Sequence, residues 1–207
     1  FGLEIKCDPR ALIPRPETEF LVVTLLDLAR QRPASEAVDV CDVGTGSGAL
    51  AVCIARHLPS ARVLGLDVSR GALDVAAENV GEHGVAERVE LLQSDLFADV
   101  APQRTFDFIV SNPPYVSEAE YERLAPEVRK HEPRGALVAG RQGTEVIARL
   151  VAEAADRLNA QGSLLIEVSP MIHEAAVELI QAEPRLEVGP TVKDLSRQPR
   201  VVQAKKA

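Results

Sequence analysis

Val38-Asp39-Val40-Cys41-Asp42-Val43-Gly44-Thr45-Gly46-Ser47-Gly48-Ala49 is the stretch whose reading decides the fold. Val38–Val43 has the apolar, β-branched character of a buried strand. The glycines that follow permit a tight turn and a close approach of backbone to a ligand, and Ser47–Leu58 reads as a helix. A strand that passes through such a loop into a helix opens a strand–helix–strand unit. In open sheets built from these units, ligands bind beyond the carboxyl ends of the strands, where the chain order reverses. Val63–Val68 reads as the next strand. Asp67 lies near its end, 23 residues after Gly44, where an acid can accept hydrogen bonds from both hydroxyls of a ribose.

Outward from this unit the alternation continues. Ser69–His83 reads as a helix, Val89–Gln93 and Phe106–Ser111 as strands, and the polar Val116–Lys130 as a loop with a helical turn or two. Gln142–Asn159 reads as a long amphipathic helix, Ser163–Val168 as a strand and Ile172–Glu183 as a helix. Leu186–Gly189 and Arg200–Ala204 close the chain as two strands with a turn around Ser196–Pro199. Upstream, residues 1–15 are broken by Gly2, Pro9 and Pro14. Pro16 suits the first position of a helix running to about Arg30, with Glu17 and Glu19 at its positive end. The expectation is an α/β fold with a mostly parallel seven-stranded sheet and helices on both faces. The two final strands, with no helix between them, place an antiparallel strand pair at one edge. No repeat, low-complexity segment or Gly/Ser linker divides the chain, so residues 1–207 read as a single domain. The start at Phe1, inside an apparently structured segment, suggests that a natural N-terminal region precedes it.

Aromatic residues are only 3% of the chain and Trp is absent, so Leu, Val, Ile and Ala must build the core. Such residues suit helices packed on a parallel sheet. The formal net charge of -8 argues against a duplex nucleic acid as main partner, since phosphate neutralisation supplies most of that affinity. Cys7, Cys41 and Cys53 are odd in number and widely spaced. They read as reduced thiols of a cytoplasmic protein, not as a disulfide framework or a zinc site. Cys53 and His57 are four apart on one helix, but no second ligand pair accompanies them, so no metal is expected. No run reaches the 18 or so apolar residues of a membrane helix.

The glycine loop leaves two cofactor classes open. Gly44-x-Gly46-x-x-Ala49 fits a dinucleotide fingerprint, in which a helix N-terminus holds a pyrophosphate. S-adenosylmethionine (SAM) carries an ammonium and a sulfonium instead, which carboxylates near the loop would favour. Asp42, just before the glycines, could serve that purpose, and Asp95 could accept from an adenine amino group.

A second motif separates them. Ser111-Asn112-Pro113-Pro114-Tyr115 ends the Phe106–Ser111 strand on the same edge as the glycine loop. Two prolines lock φ and remove two donors, and the residue before a proline is pushed to extended geometry. Asn112 is therefore held rigidly, and the Pro113 carbonyl can face a ligand. An amide or amine nitrogen has a delocalised lone pair. Two acceptors, the Asn112 side-chain oxygen and the Pro113 carbonyl, can take its two hydrogens and orient it for methylation. Preorganised dipoles of this kind contribute about 2–4 kcal/mol each to lowering a barrier, and Tyr115 would stack on the flat group.

Both motifs, in this order, resemble class I SAM methyltransferases that act on amide or exocyclic amino nitrogens. Leu12-Ile13-Pro14-Arg15-Pro16-Glu17-Thr18-Glu19 looks like the signature of the HemK (PrmC) protein-glutamine N5-methyltransferases. Glu132-Pro133, Ala136-Leu137, Gly140-x-x-Gly143, Lys193-Asp194-Leu195 and Arg200-Val201-Val202 also look like that family. The resemblance implies a Rossmann-like class I methyltransferase fold, with SAM as cofactor and S-adenosylhomocysteine as product. It implies as substrate the Gly-Gly-Gln glutamine of class 1 peptide-chain release factors. It further implies that Gly44, Thr45, Gly46, Ser47 and Gly48 line SAM, that Asp67, with Val68 beside it, takes the ribose, and that Asp95 and Leu96 flank the adenine. Asn112 to Tyr115 would hold the glutamine amide, with Arg15 and Pro16 at the border of the substrate pocket. The chain departs from the family pattern at Glu167-Val168-Ser169, where Glu-x-Gly is usual, at Ile172, where Gln is common, and at Leu96, where an aromatic residue is frequent. The family's small helical N-terminal domain, which helps recognise the protein substrate, has no counterpart in these residues.

Two other substrates use the same motifs: a glutamine of a large-subunit ribosomal protein, and an amino group of DNA or ribosomal RNA. The charge, the missing target-recognition segment and the Pro14–Glu19 motif argue against the nucleic acids. A nicotinamide-dependent dehydrogenase would leave the tetrapeptide without a task. A SAM sensor would bind without turnover.

Overall fold

A 3-10 turn at Pro16–Thr18 leads into α1 (Glu19–Ala29) in this computed structural model, which describes residues 1–33 and 36–207. There follow β1 (Val38–Val43), α2 (Ala49–His57), β2 (Ala61–Asp67), α3 (Arg70–Glu82), β3 (Val89–Gln93) and β4 (Phe106–Ser111). After β4 come β5 (Val116–Ser117), α4 (Glu118–Tyr121), α5 (Pro126–His131) and β6 (Val138–Gly140). The chain closes with α6 (Glu145–Arg157), β7 (Leu158–Glu167), α7 (His173–Gln181), β8 (Leu186–Val188), β9 (Val192–Lys193) and β10 (Pro199–Lys206).

The main sheet has the order β3-β2-β1-β4-β7-β10-β8, with β9 added beside β10. β3, β2, β1, β4 and β7 pair in parallel, and β10 runs antiparallel to both β7 and β8. The antiparallel pairing therefore lies at one edge of the sheet, as expected, with β10 inserted inside the edge strand β8. The short β9 was not legible in the sequence, since two residues are too few to carry a periodicity.

Neighbouring strand residues face opposite layers. Ile109, Leu164, Ile166 and Val202 pack with α6 and α7 through Leu150, Ala154, Ala176 and Ile180. Phe108, Val110, Leu165 and Val201 pack with α1 and α2 through Leu21, Leu25, Ala51 and Ile54. Burial on both faces explains why the strands read as apolar runs and not as alternations.

Two helix boundaries shift from the sequence expectation for the same reason. α2 begins at Ala49, not Ser47, because Gly46 and Gly48 hold φ of 57° and 78°. α6 begins at Glu145, not Gln142, because Gly143 has φ 81°. Left-handed backbone cannot continue a right-handed helix. The segment after Tyr115 is more ordered than a loop. Ser117 forms a capping box with Glu120, and β5 pairs with β6 to close the excursion at its base.

Candidate active site

The strand order reverses between β1 and β4, and Val43 is paired with Ser111 in that parallel ladder. The two chains leave the sheet side by side, so Gly44 and Asn112 start from adjacent positions at its carboxyl edge. The Ser111 hydroxyl donates to the Val43 carbonyl at 2.7 Å and ties the two exits together. A cavity of about 410 Å³ opens above them, within the size range of small-ligand sites. Gly44, Gly46, Asp67, Val68, Asp95, Leu96, Asn112, Pro113 and Pro114 line it.

Asp67 organises the glycine loop. One carboxylate oxygen accepts from the Gly46 N–H at 2.9 Å and the other from the Ser69 N–H at 2.8 Å. A carboxylate has about four acceptor positions, so capacity remains for hydroxyl donors. Burial raises its pKa, and these backbone donors offset only part of the rise. Asp95 faces the cavity with Oδ2 paired to Arg149 at 3.0 Å. Leu96, buried beside it, takes φ 50°, a turn strained for a leucine.

Four expected loop residues stand behind the cavity wall. Asp42 is fully buried, and its Oδ2 accepts from the Thr45 hydroxyl at 2.6 Å. Its Oδ1 has no partner, and burial pushes the carboxyl up to about 7. Ser47 and Gly48 hold the loop from behind. The Ser47 carbonyl accepts from Asn79, and a Cβ at Gly48 would lie 3.0 Å from that of Ala76. Asp42, Thr45, Ser47 and Gly48 thus shape the loop without lining the cavity, because their polar groups and backbone are turned towards the packed sheet and α3.

Arg15 and Pro16 line a neighbouring, largely apolar groove of about 620 Å³, which shares Ala11 with the cavity. Arg15 pairs with Glu132, a carboxylate buried at its side chain whose Oε2 has no hydrogen-bond partner. Tyr115 is half-buried against the core and lies off the cavity wall. Burial raises its phenol, as does the nearby Glu167, while Arg200 and Arg15 lower it. The Pro14–Glu19 segment, the tetrapeptide and the end of β7 therefore meet. Asn112 Nδ2 donates to Thr18 Oγ1 at 3.2 Å across 94 residues of sequence.

Sequence reasoning gave Thr18 and Glu167 no role of their own, although both fall in stretches that resemble the family, and it missed Arg149. Glu167 carried a signal, an acid closing the apolar run Leu164-Leu165-Ile166 at the ligand edge. Arg149 carried none, since its role depends on where α6 passes Asp95. His57 hydrogen bonds to the Cys53 carbonyl and packs its ring edge-on against Phe1. Among the described residues no group of three or more His, Cys, Asp or Glu is placed to hold a metal ion.

The family model described as "Methyltransferase small domain" matches residues 17–130. A release factor glutamine methyltransferase of Rhodopirellula baltica is 45% identical over 208 residues, covering 100% of this chain and 70% of that protein. One from Gloeobacter violaceus is 40% identical, covering 97% of this chain and 68% of that protein. The crystal structure of a methyltransferase from Pyrococcus furiosus superposes with a TM-score of 0.70 at 20% identity, covering 100% of this chain and 90% of that one, which shows the shared fold. A glycine loop and an Asn-Pro-Pro-Tyr turn on adjacent strand ends, together with this identity over the whole chain, place it among methyltransferases: the chain belongs to the methyltransferase small-domain family and, within it, to the release factor glutamine methyltransferases.

Proposed function

We propose that this enzyme transfers a methyl group from SAM to the side-chain amide nitrogen of the glutamine in the Gly-Gly-Gln loop of class 1 peptide-chain release factors, in the cytoplasm. The observation that carries the reading is the single cavity whose wall contains both Gly44 and Gly46 of the loop and Asn112 to Pro114 of the tetrapeptide. The residues fit SAM. Gly44 and Gly46, with φ of 74° and 57°, turn backbone without side chains towards it, and Asp67 and Asp95 offer acceptors suited to ribose and adenine.

When bound, SAM supplies an electrophilic methyl group on a sulfonium. Asn112 and the Pro113 carbonyl would accept the two amide hydrogens of the glutamine and hold its nitrogen in line with that methyl. Proximity of this kind replaces a bimolecular encounter and removes several kcal/mol, roughly 7–11 at best, from the barrier. No base is needed before transfer, since the surplus proton can leave to water afterwards. Arg15 and Pro16 border the groove through which the substrate loop would approach. We read residues 1–207 as one catalytic domain.

The test is methyl transfer from labelled SAM to purified release factors, a ribosomal protein fraction and DNA in parallel, with peptide mass spectrometry of any labelled protein. Label on the Gly-Gly-Gln glutamine is expected. Label confined to a ribosomal protein or to DNA overturns the substrate assignment.

A further inference from the structure

Asn112 can serve as an acceptor only if its oxygen, and not its NH2, faces the substrate. Nothing in an isolated amide decides this, because its two ends have nearly the same shape. Here Nδ2 is held by Thr18 Oγ1 at 3.2 Å, which turns Oδ1 the other way. A hydroxyl owns one proton, so Thr18 accepts from Asn112 only while that proton is given to a different acceptor.

Glu167 is the acidic group placed to be that acceptor. It is the last residue of β7, and the preceding pair in the ladder is Ser111 with Ile166, so Glu167 emerges beside Asn112. It is 3% exposed, Oε2 has no hydrogen-bond partner, and the Thr18 side chain lies close enough to its carboxylate to stabilise the charged form. Thr18 is itself buried, at the end of the 3-10 turn. A buried acid with an unsatisfied oxygen is costly for stability alone, and no ion pair within hydrogen-bonding range offsets it.

We infer that Thr18 and Glu167 are positioning residues of the methyl transfer: the Glu167 carboxylate takes the Thr18 proton, Thr18 is left able only to accept from Asn112, and Asn112 Oδ1 is thereby fixed towards the substrate amide. The inference rests on the reading of Asn112 as an acceptor for the glutamine amide. It adds the device that sets which end of Asn112 is presented.

The relay inverts on protonation. A neutral Glu167 can donate to Thr18, whose own proton then turns to Asn112 and is best met by Oδ1, which removes the substrate's acceptor. Burial pushes Glu167 up to about 7. The groups facing it are Thr18 and Glu17 from the 3-10 turn, Tyr115 from the tetrapeptide, and Arg200 of β10, whose guanidinium also holds Asp194. Thr18 and Arg200 lower its pKa and Glu17 raises it. The rate of transfer should therefore rise with pH as Glu167 ionises.

The experiment compares single-turnover methyl transfer from labelled SAM to a purified class 1 release factor for the unaltered chain, Thr18→Val, Thr18→Ser, Glu167→Gln and Asn112→Ala. SAM affinity and thermal unfolding are measured for each. Thr18→Val and Glu167→Gln should lose roughly tenfold or more in rate with SAM affinity kept within about threefold, and Thr18→Ser should recover most of the loss. The unaltered chain should gain rate between about pH 6 and pH 8, and Glu167→Gln should lack that gain. Full rates in Thr18→Val and Glu167→Gln beside an inactive Asn112→Ala overturn the relay and leave the site reading intact. A full rate in Asn112→Ala overturns both. If Glu167→Gln does not fold, the Thr18→Val and Thr18→Ser pair with the pH profile of the unaltered chain decides the question.

Discussion

A Cβ at residue 143 would lie 2.7 Å from the Tyr115 carbonyl oxygen. Gly143, with φ 81°, lets the segment leading into α6 press directly on the backbone that leaves the tetrapeptide. Gly143→Ala would meet both a strained φ and a backbone clash. It should cost about 2 kcal/mol or more in urea unfolding. It should also slow methyl transfer by displacing Tyr115, while SAM affinity changes little. Unchanged stability would show that Tyr115 and its neighbours can move aside.

Asn112→Ala removes the acceptor proposed for the substrate amide without touching Gly44, Gly46 or Asp67. SAM affinity should stay within a few-fold and turnover should fall roughly 100-fold or more. Calorimetry with SAM and a labelled-methyl assay check the two halves separately. Near-normal turnover would remove the tetrapeptide from the mechanism.

Asp42 sets a pH dependence of stability with a definite sign. Burial raises its folded pKa from 3.8 to about 7. The folded state therefore holds a proton that the unfolded state releases first, and stability falls as pH rises through that window. Below the unfolded value the contribution is fully present, and above about 7 it is lost. The shift corresponds to about 4 kcal/mol. Asp42→Asn should flatten the decline, so that the variant gains on the parent between pH 5 and pH 8 in urea titrations. Glu167, raised to about 7 by the same cause, contributes in the same direction and remains in the variant. Parallel curves for variant and parent would mean that Asp42 is ionised in the folded protein throughout.

Arg15 and Glu132 join the segment before α1 to the segment after α5. Removing Arg15 leaves a buried carboxylate without its counter-charge, a loss of about 1–3 kcal/mol locally. Arg15→Ala should raise KM for the release factor more than it changes SAM affinity, because Arg15 lines the groove and not the cavity. An unchanged KM would detach that groove from substrate binding.

The strands and helices that bracket the cavity were legible because each is a local matter. Val38–Val43, Val89–Gln93 and Phe106–Ser111 match the observed strands residue for residue, since apolar runs of that length between glycines and polar turns have few other readings. Glycine φ was less legible. Nothing in Gln142–Thr144 announces that Gly143 takes a left-handed turn, a need that arises only from the carbonyl of Tyr115 beside it. The two-residue strands β5 and β9 exist through their pairing with β6 and β10 and are too short to have a signature of their own.

The sequence by itself determined the alternation that builds a doubly wound sheet, the glycine loop, the tetrapeptide and the order in which they follow, because turn chemistry and hydrophobic periodicity act over a few residues. Only the tertiary structure decided that Val43 and Ser111 are paired, so that both motifs open on one cavity. It also decided that Asp42 lies beneath the loop and off the cavity wall, and that Thr18 and Glu167 stand behind Asn112. The strand pairing and the meeting of Thr18, Asn112 and Glu167 depend on how distant segments pack, and they span tens of residues that no local pattern connects.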